Sequence, residues 1–246
     1  LFAFFLFCTF SNAQSLLKET TQINDSVDYY LEIASFNKED KHSFNKAIVY
    51  TEKAIDYAKK QKLDDKLPEC YLILGNIYYD LEKTDTAIEN YIRSINLYKV
   101  QEPNSDLALA YYSLGKCYLK KNKIAVAEIY FEKASTLYES LNFLDAIELI
   151  NLQKGIIKKE KKEFSEASRI LQSVIENLAD DSFISTKIEA YYQLGEIEMV
   201  QEKYANAINY YTLAHAANTN NKTDFSITKR ILKQLSVAYE KTKNTK

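Results

Sequence analysis

Small residues recur along the chain at a fixed interval of forty positions, and large apolar residues surround each of them. The glycines are Gly75, Gly115, Gly155 and Gly195, and the alanines of a second series are Ala47, Ala87, Ala127, Ala167 and Ala207. The apolar neighbours follow the three- and four-residue spacing of a helical face. A fixed period of this length predicts an array of stacked helical repeats.

The third repeat shows the arrangement most clearly. Its first apolar face consists of Tyr111, Leu114, Gly115 and Tyr118, and its second consists of Ala127, Phe131 and Ala134. A polar break over residues 120–123 separates the two faces. Gly and Ala allow the backbones of two helices to approach closely, so each repeat is predicted to be a helix, a turn and a second helix.

These residues resemble the tetratricopeptide repeat, which has an aromatic residue, Leu-Gly and Tyr on its first helix and Ala, an aromatic residue and Ala on its second. The second repeat carries Tyr71, Leu74, Gly75, Tyr78, Ala87 and Tyr91, and the fifth carries Tyr191, Leu194, Gly195, Ala207, Tyr211 and Ala214. The first repeat has Ser35 in place of Gly, and the fourth has Lys154 and Lys158 at the Leu and Tyr positions. A register shift of the fourth repeat remains an alternative.

A partial sixth repeat follows, one residue later than a strict step of forty, with the pattern Leu232, Leu235, Ser236 and Tyr239. The resemblance implies an all-α fold, an α-α superhelix of antiparallel helix pairs that is right-handed. We expect one elongated domain over residues 25–246, with five full repeats and one terminal helix. Because forty residues exceed the common 34, longer helices are expected at the junctions between repeats.

The junctions between repeats carry residues that suit helix starts. They are Asp64 and Asp65 before Pro68, residues 103–106, residues 180–182 and residues 218–224. Each stretch offers side chains for N-caps of the helix that follows.

The N-terminus differs from the array. Residues 1–10 form an uncharged apolar run, and small residues follow at Ser11 and Ala13. This pattern predicts a signal peptide over residues 1–13, a mature chain from Gln14 and a lead-in over residues 14–24. The protein is then exported, to the periplasm if the cell is bacterial. The alternative is part of a transmembrane helix, with the repeats anchored outside the cytoplasm.

The composition limits the ligands and the reactions that we expect of this chain. The 32 basic and 34 acidic residues give a net charge of −2, so no basic stripe favours nucleic acid. His42 and His215 are the only histidines, and neither lies in a metal-ligand spacing. We therefore predict no catalytic, cofactor or metal residues in this segment, although a longer parent could be a histidine kinase. Cys70 and Cys117 are expected to be small, buried and unpaired.

The resemblance implies that the first helices line an inner wall. The residues expected to face that wall and bind a partner are Tyr29, Phe36, Leu72, Asn76, Tyr79, Tyr112, Lys116, Leu119, Tyr192 and Met199. Such a surface suits an extended or helical peptide, with Asn76 and Lys116 contacting its backbone or a carboxylate. In the alternative, longer helices wind the array tightly and these side chains pack on one another.

Two functional hypotheses follow. In the first, the repeats are the sensory module of a bacterial signalling protein, whose ligand is a peptide or the downstream segment of its own parent. In the second, they form a free periplasmic adaptor. A peptide-pheromone receptor is a weaker alternative, which the signal-like start opposes. A heptad stretch and an apolar run beyond Lys246 would favour the sensor, with the membrane reached only through that downstream span.

Overall fold

The computed structural model describes residues 26–36, 41–98, 104–178, 183–221 and 225–244. Within these ranges the chain forms eleven α-helices and no strand, which confirms the all-α prediction. The helices are α1 (Val27–Phe36), α2 (Lys41–Gln61), α3 (Leu67–Asp80), α4 (Thr84–Tyr98), α5 (Ser105–Lys120), α6 (Ile124–Ser140), α7 (Leu144–Glu160), α8 (Phe164–Asn177), α9 (Ile184–Val200), α10 (Tyr204–Asn221) and α11 (Phe225–Asn244). The predicted signal peptide and lead-in lie outside the described residues.

The chain divides into two compact bodies, with a boundary inside α6. The N-terminal body is Leu1–Ala134 and the C-terminal body is Ser135–Lys246. In the first, α1 to α5 pack each on the next, and α3 also contacts α5. In the second, α7 to α11 do the same, and α7 also contacts α9. A single elongated, right-handed superhelix stays a prediction.

Each repeat is a pair of antiparallel helices. On α3 and α4, the Ser94 hydroxyl donates to the Pro68 carbonyl at 2.8 Å, while Gly75 lies against the Tyr91 ring. From the first contact to the second, the residue number rises on α3, from Pro68 to Gly75, and falls on α4, from Ser94 to Tyr91. The two helices are therefore antiparallel. Ala87 and Tyr91 are fully buried between these helices, as the repeat pattern predicts.

The four glycines lie where two helices come closest. A Cβ atom on Gly75, Gly115 or Gly195 would lie 2.5–2.6 Å from a ring carbon of the residue sixteen positions later. Those residues are Tyr91, Phe131 and Tyr211. A Cβ on Gly155 would lie 2.8 Å from Leu171, so the fourth repeat keeps the same register and shows no shift. The predicted role of the glycines is confirmed.

Helix ends recur every twenty residues. One residue past the end of α2, and two residues past the end of α3, α5, α6, α7 and α9, the backbone adopts a left-handed conformation with φ between 57° and 60°. The residues are Lys62, Glu82, Asn122, Asn142, Lys162 and Glu202. After α3, the Lys83 amide donates to the Tyr78 carbonyl at 2.9 Å and the Glu82 amide to the Tyr79 carbonyl at 3.0 Å, a Schellman end. Helices α6 and α7 each have 17 residues, and only three residues separate each of them from the next helix. The residues by which this repeat of forty exceeds the common repeat of 34 therefore lie in longer helices, as predicted.

The predicted N-caps have different outcomes. The Asn104 side chain accepts a hydrogen bond from the Leu107 amide at 2.9 Å and caps α5 as expected. Asp64 and Asp65 do not cap α3, and that prediction is wrong. Lys66 occupies the N-cap in a helical conformation, without a side-chain cap, and its ammonium instead bonds Asp28 on α1 at 2.8 Å. Residues 180–182 lie outside the described residues.

Cys70 and Cys117 are free and buried, as predicted. Burial raises the pKa of each thiol to about 12. Neither cysteine is therefore a thiolate near neutral pH, and both serve as small core residues. Among the helices described, none combines the length and apolar character that a membrane span requires.

Candidate functional site

In the N-terminal body, α3 and α5 are the first helices of successive repeats and contact each other. The predicted wall positions on the two helices are related by the step of forty, so that Leu72, Asn76 and Tyr79 on α3 correspond to Tyr112, Lys116 and Leu119 on α5. Because the residues within each set lie three or four positions apart, each set lies along one side of its helix.

Two lysines of α5 lie over aromatic rings on this surface. The Lys116 ammonium is 4.6 Å from the centre of the Tyr79 ring and 5.5 Å from that of Tyr112. The Lys120 ammonium is 5.5 Å from the Tyr79 ring centre. These distances are those of cation–π contacts. We call Tyr79, Tyr112, Lys116 and Lys120 the aromatic–lysine patch.

Burial determines the protonation state of Tyr79. The pKa of Tyr79 rises to about 12, because burial disfavours the phenolate and because negative charge lies nearby, on Cys117 once that thiol ionises at high pH and on Asp80. Tyr79 therefore keeps its hydroxyl proton at neutral pH. The Lys120 ammonium also lies 3.8 Å from the Glu82 carboxylate, which offsets part of its charge.

A buried tyrosine fixes the orientation of the neighbouring wall residue. The Tyr91 hydroxyl donates to Asn76 Oδ1 at 2.8 Å, so the Asn76 amide nitrogen is the group left to donate to a ligand. The same bond recurs in the C-terminal body, where the Tyr211 hydroxyl donates to Glu196 at 2.7 Å. Burial raises the pKa of both tyrosines, so both hydroxyls remain donors.

The predicted wall residues differ in exposure. Leu72, Tyr112 and Tyr192 are buried, with 4%, 8% and 6% of their surface exposed. The residues that are partly exposed are Tyr29, Asn76, Tyr79, Lys116, Leu119 and Met199. The Phe36 side chain lies outside the described residues. A partner would therefore reach Tyr79 and Lys116 more readily than Leu72 or Tyr112.

Tyr112 and Tyr192 owe their burial to core packing. The Tyr112 ring centre lies 5.9 Å from that of Phe131, and the Tyr192 ring centre lies 5.6 Å from that of Tyr211. In both cases the partner is the aromatic residue that faces a repeat glycine. These two wall tyrosines therefore belong partly to the helix-pair core.

In the C-terminal body, an arginine covers the predicted wall residue Tyr192. The Arg230 guanidinium of α11 lies 4.1 Å from the Tyr192 ring centre and forms an ion pair with Glu189 on α9. Gln193 donates to the same Glu189 at 2.7 Å and accepts from Lys159 of α7 at 2.6 Å. These bonds join α7, α9 and α11, which are the first helices of three successive repeats.

Sequence reasoning missed Lys120 and Arg230. Lys120 carried a signal, because it lies four residues after Lys116 and hence on the same side of α5. Arg230 carried none, since it lies 38 positions beyond Tyr192 and therefore off the repeat step.

The chemistry of the patch is that of binding. It offers two ammonium groups, two aromatic rings and an amide donor, which suit carboxylate, carbonyl and apolar groups. Among the described residues, no group of three or more His, Cys, Asp or Glu side chains is placed to hold a metal ion.

Family comparison agrees with the repeats that the sequence shows best. Residues 68–140 and residues 188–221 match two family models, each described as tetratricopeptide repeat. The first match covers the second and third repeats, and the other covers the fifth.

A curated relative is the response regulator aspartate phosphatase J of Bacillus subtilis, 24% identical over 160 residues. The alignment covers 62% of this chain and 43% of the relative, so the chain spans less than half of that protein.

Solved structures share the fold. Aspartyl phosphate phosphatase F from Bacillus subtilis superposes with a TM-score of 0.72 at 15% identity, over 94% of this chain and 62% of that one. The Rap conjugation gene regulator of plasmid pLS20, in complex with the Phr* peptide, gives 0.63 at 16% identity, over 85% and 62%.

Proposed function

Because this chain is a tetratricopeptide repeat protein, and so a protein-binding scaffold, we propose that its aromatic–lysine patch binds a peptide segment of a partner. The observation that carries this proposal is the pair of lysines over Tyr79, with Asn76 held in place beside it by Tyr91. Such an arrangement combines charge, aromatic surface and a fixed amide donor within one body.

The patch also specifies the chemistry of the peptide. Lys116 and Lys120 favour a carboxylate, from an acidic side chain or a chain terminus. The partly exposed surfaces of Tyr79 and Leu119 favour an apolar or aromatic side chain beside it. The bound peptide therefore carries an acidic group next to an apolar one.

We further propose that the chain is the sensory or interaction module of a bacterial signalling protein. The curated relative is named for a response regulator, and one structural neighbour is in complex with a peptide. A peptide receptor gains support from the same neighbour, while a free adaptor remains the alternative. Sequence beyond Lys246 in the parent distinguishes them, because a heptad stretch and an apolar run of about twenty residues favour the sensor.

Panning a peptide library against the intact chain tests the patch. We expect enriched peptides to combine acidic and apolar residues and to lose about thirtyfold in affinity with Tyr79→Ala, the effect of removing an aromatic anchor worth ~2 kcal/mol. Tyr79 is a better reporter than Tyr112, whose burial against Phe131 makes an alanine substitution a stability change as well.

Lys116→Ala is the second test variant, and Lys59→Ala is the control. The first removes a patch ammonium and should also weaken binding, whereas Lys59 is an exposed lysine on α2 outside the patch. Peptides that bind all three variants as tightly as the native chain would contradict the proposal.

Export is a separate proposal, motivated by the apolar run and the small residues that precede Gln14. Intact-mass measurement on protein recovered from the periplasm should give a chain that begins at Gln14. Recovery of the uncleaved chain from the cytoplasm alone would reverse the localisation.

A further inference from the structure

The C-terminal body holds a carboxylate in place at Glu196 on α9. Glu196 follows Asn76 by three steps of forty, so the two residues occupy the same place in their repeats. The Tyr211 hydroxyl donates to Glu196 Oε1 at 2.7 Å, as the Tyr91 hydroxyl does to Asn76. Tyr211 is fully buried, whereas Glu196 is partly exposed. The core of the helix pair therefore fixes the position of a carboxylate on the wall.

The charge of Glu196 is not neutralised by an ion pair within the described residues. Two basic side chains lie on helices next to α9 or pack against it, and each is paired with another acid. Arg230 of α11 pairs with Glu189, and the Lys159 ammonium of α7 lies 3.4 Å from the Glu160 carboxylate. A carboxylate has about four acceptor positions, so the bond from the buried tyrosine leaves capacity for a ligand.

Apolar side chains accompany the carboxylate. Met199 follows Glu196 by three positions and so lies next to it on the surface of α9. Ile156 occupies the equivalent place on α7, which contacts α9. Both side chains are partly exposed. Lysine and arginine combine an apolar stem with a cationic head, so they match an apolar surface next to a carboxylate.

We propose that Glu196 binds a lysine or arginine side chain of a peptide segment of a partner, with the stem of that side chain on Ile156 and Met199. The charge of this ligand is opposite to that of the ligand proposed for the aromatic–lysine patch. In the third repeat, Lys116 occupies the place that Glu196 occupies in the fifth. The two positions lie in different bodies, and the proposal does not depend on the patch.

The charge at this position argues for a basic ligand over other occupants. An acidic group would place a second negative charge beside a carboxylate that is already held in place, which disfavours binding. A divalent cation requires several oxygen ligands, and no group of three or more His, Cys, Asp or Glu side chains among the described residues is placed to hold one. A basic side chain requires one carboxylate only.

A peptide with a single lysine tests the proposal. The probe is the blocked peptide Gly-Ser-Leu-Lys-Leu-Ser-Gly, whose termini carry no charge. Added to the intact chain with labelled glycine, it should shift the amide signal of Gly195, the residue before Glu196, in a saturable titration. A probe with glutamine in place of lysine should bind about tenfold more weakly, because it lacks the charge-assisted hydrogen bond.

Three substitutions report on the carboxylate and on its orientation. Glu196→Gln should weaken binding of the lysine probe about tenfold. Tyr211→Phe should weaken it severalfold while the chain stays folded, because Phe131 fills the same place in the third repeat. Glu196→Lys should reverse the preference, so that a probe with glutamate in place of lysine binds more tightly than the lysine probe.

The matched control is Glu198→Gln, which makes the same change two residues away on α9. The Glu198 carboxylate accepts a hydrogen bond from Asn206 of α10 at 2.9 Å, and its loss should leave binding of the probe unchanged. The proposal is overturned if the lysine probe does not bind, if the lysine and glutamine probes bind alike, or if the two glutamine variants have the same effect.

Two further outcomes would assign the position to another occupant. A native chain that prefers the glutamate probe would show that exposed Lys233 of α11 determines the ligand, and the proposal would then be wrong. A dimer that light scattering detects and that Glu196→Gln dissociates would also overturn it, since the occupant would then be a second copy of this chain.

Discussion

At the scale of single residues, each glycine is paired with one large side chain on the opposite helix. The glycine hydrogen and the ring of Tyr91, Phe131 or Tyr211 fill the same crossing point in three repeats, and Leu171 does so in the fourth. Interiors of this density do not accept an added side chain without displacing a neighbour. The period of forty in the sequence therefore records a packing requirement.

Gly115→Leu tests that requirement. An added Cβ would already lie 2.6 Å from Phe131, whose ring is 1% exposed and has little room to move. The substitution should lower the free energy of unfolding by about 1–3 kcal/mol, measured by urea denaturation. Lys59→Ala on exposed α2 surface serves as control, and equal stability of the two variants would show that the glycine register is wrong.

Sequence alone predicted which residues are small and buried, because steric limits leave a periodic mark. It predicted Cys70 and Cys117 as unpaired core residues for another reason, because their positions in neighbouring repeats are offset by more than the Cα separation that a disulfide tolerates. The covering of Tyr192 by Arg230 left no such mark. Cation–π contacts and ion pairs between helices depend on how far long side chains extend from one helix to another. The spacing of residues along a single helix gives no information about that distance.

At the scale of elements, every described helix–turn junction with a left-handed residue uses the same geometry, yet none of these residues is glycine. Asn122 and Asn142 suit this conformation, since Asn tolerates it better than most side chains. Lys62, Glu82, Lys162 and Glu202 do not. The helix ends were hard to locate from sequence because the usual glycine signal is absent, and the Asp64–Asp65 cap was wrong because Lys66 takes the N-cap itself.

Helix ends therefore offer a stability gain. Lys162→Gly should raise the free energy of unfolding by about 1 kcal/mol, because glycine adopts the left-handed conformation without the steric cost of a Cβ. Asn142→Gly, at the preceding helix end of the same body, should gain distinctly less. Chemical denaturation of both variants measures the difference, and a loss of stability with Lys162→Gly would contradict the described backbone at that turn.

At the scale of the whole molecule, buried thiols and phenols make stability depend on alkaline pH. The pKa of Cys70 and Cys117 rises from 9.0 to about 12, and that of Tyr79 from 10.0 to about 12. In these windows the unfolded chain loses protons that the folded chain keeps. Stability is therefore complete below the unfolded values and falls as pH rises toward the folded ones.

We expect the free energy of unfolding to begin falling near pH 9, where unfolded cysteine titrates. In the Cys70→Ala, Cys117→Ala double variant the fall should begin nearer pH 10, where unfolded tyrosine titrates. The comparison uses the shape of each pH profile, since the substitutions also change baseline stability. Identical profiles would show that the two thiols are accessible to water.

The two bodies were not expected from the sequence. An unbroken period predicts equal neighbours along the whole array, but how strongly successive helices pack depends on the side chains at each junction. The N-terminal body contains the aromatic–lysine patch, and the C-terminal body contains Tyr192 beneath Arg230. Wall positions that are equivalent in the repeat therefore differ in how accessible they are to a ligand. The repeat pattern in the sequence does not show this difference.

The central claim is that a peptide binds to α3 and α5 through the aromatic–lysine patch, and the four glycines provide the most direct test. Selective glycine labelling gives one backbone amide signal for each of repeats two to five. On addition of a peptide selected by panning, the amide signals of Gly75 and Gly115, on the helices that carry the patch, should shift, while those of Gly155 and Gly195 should stay. Shifts confined to Gly155 and Gly195, or no shift on saturation, would contradict the account.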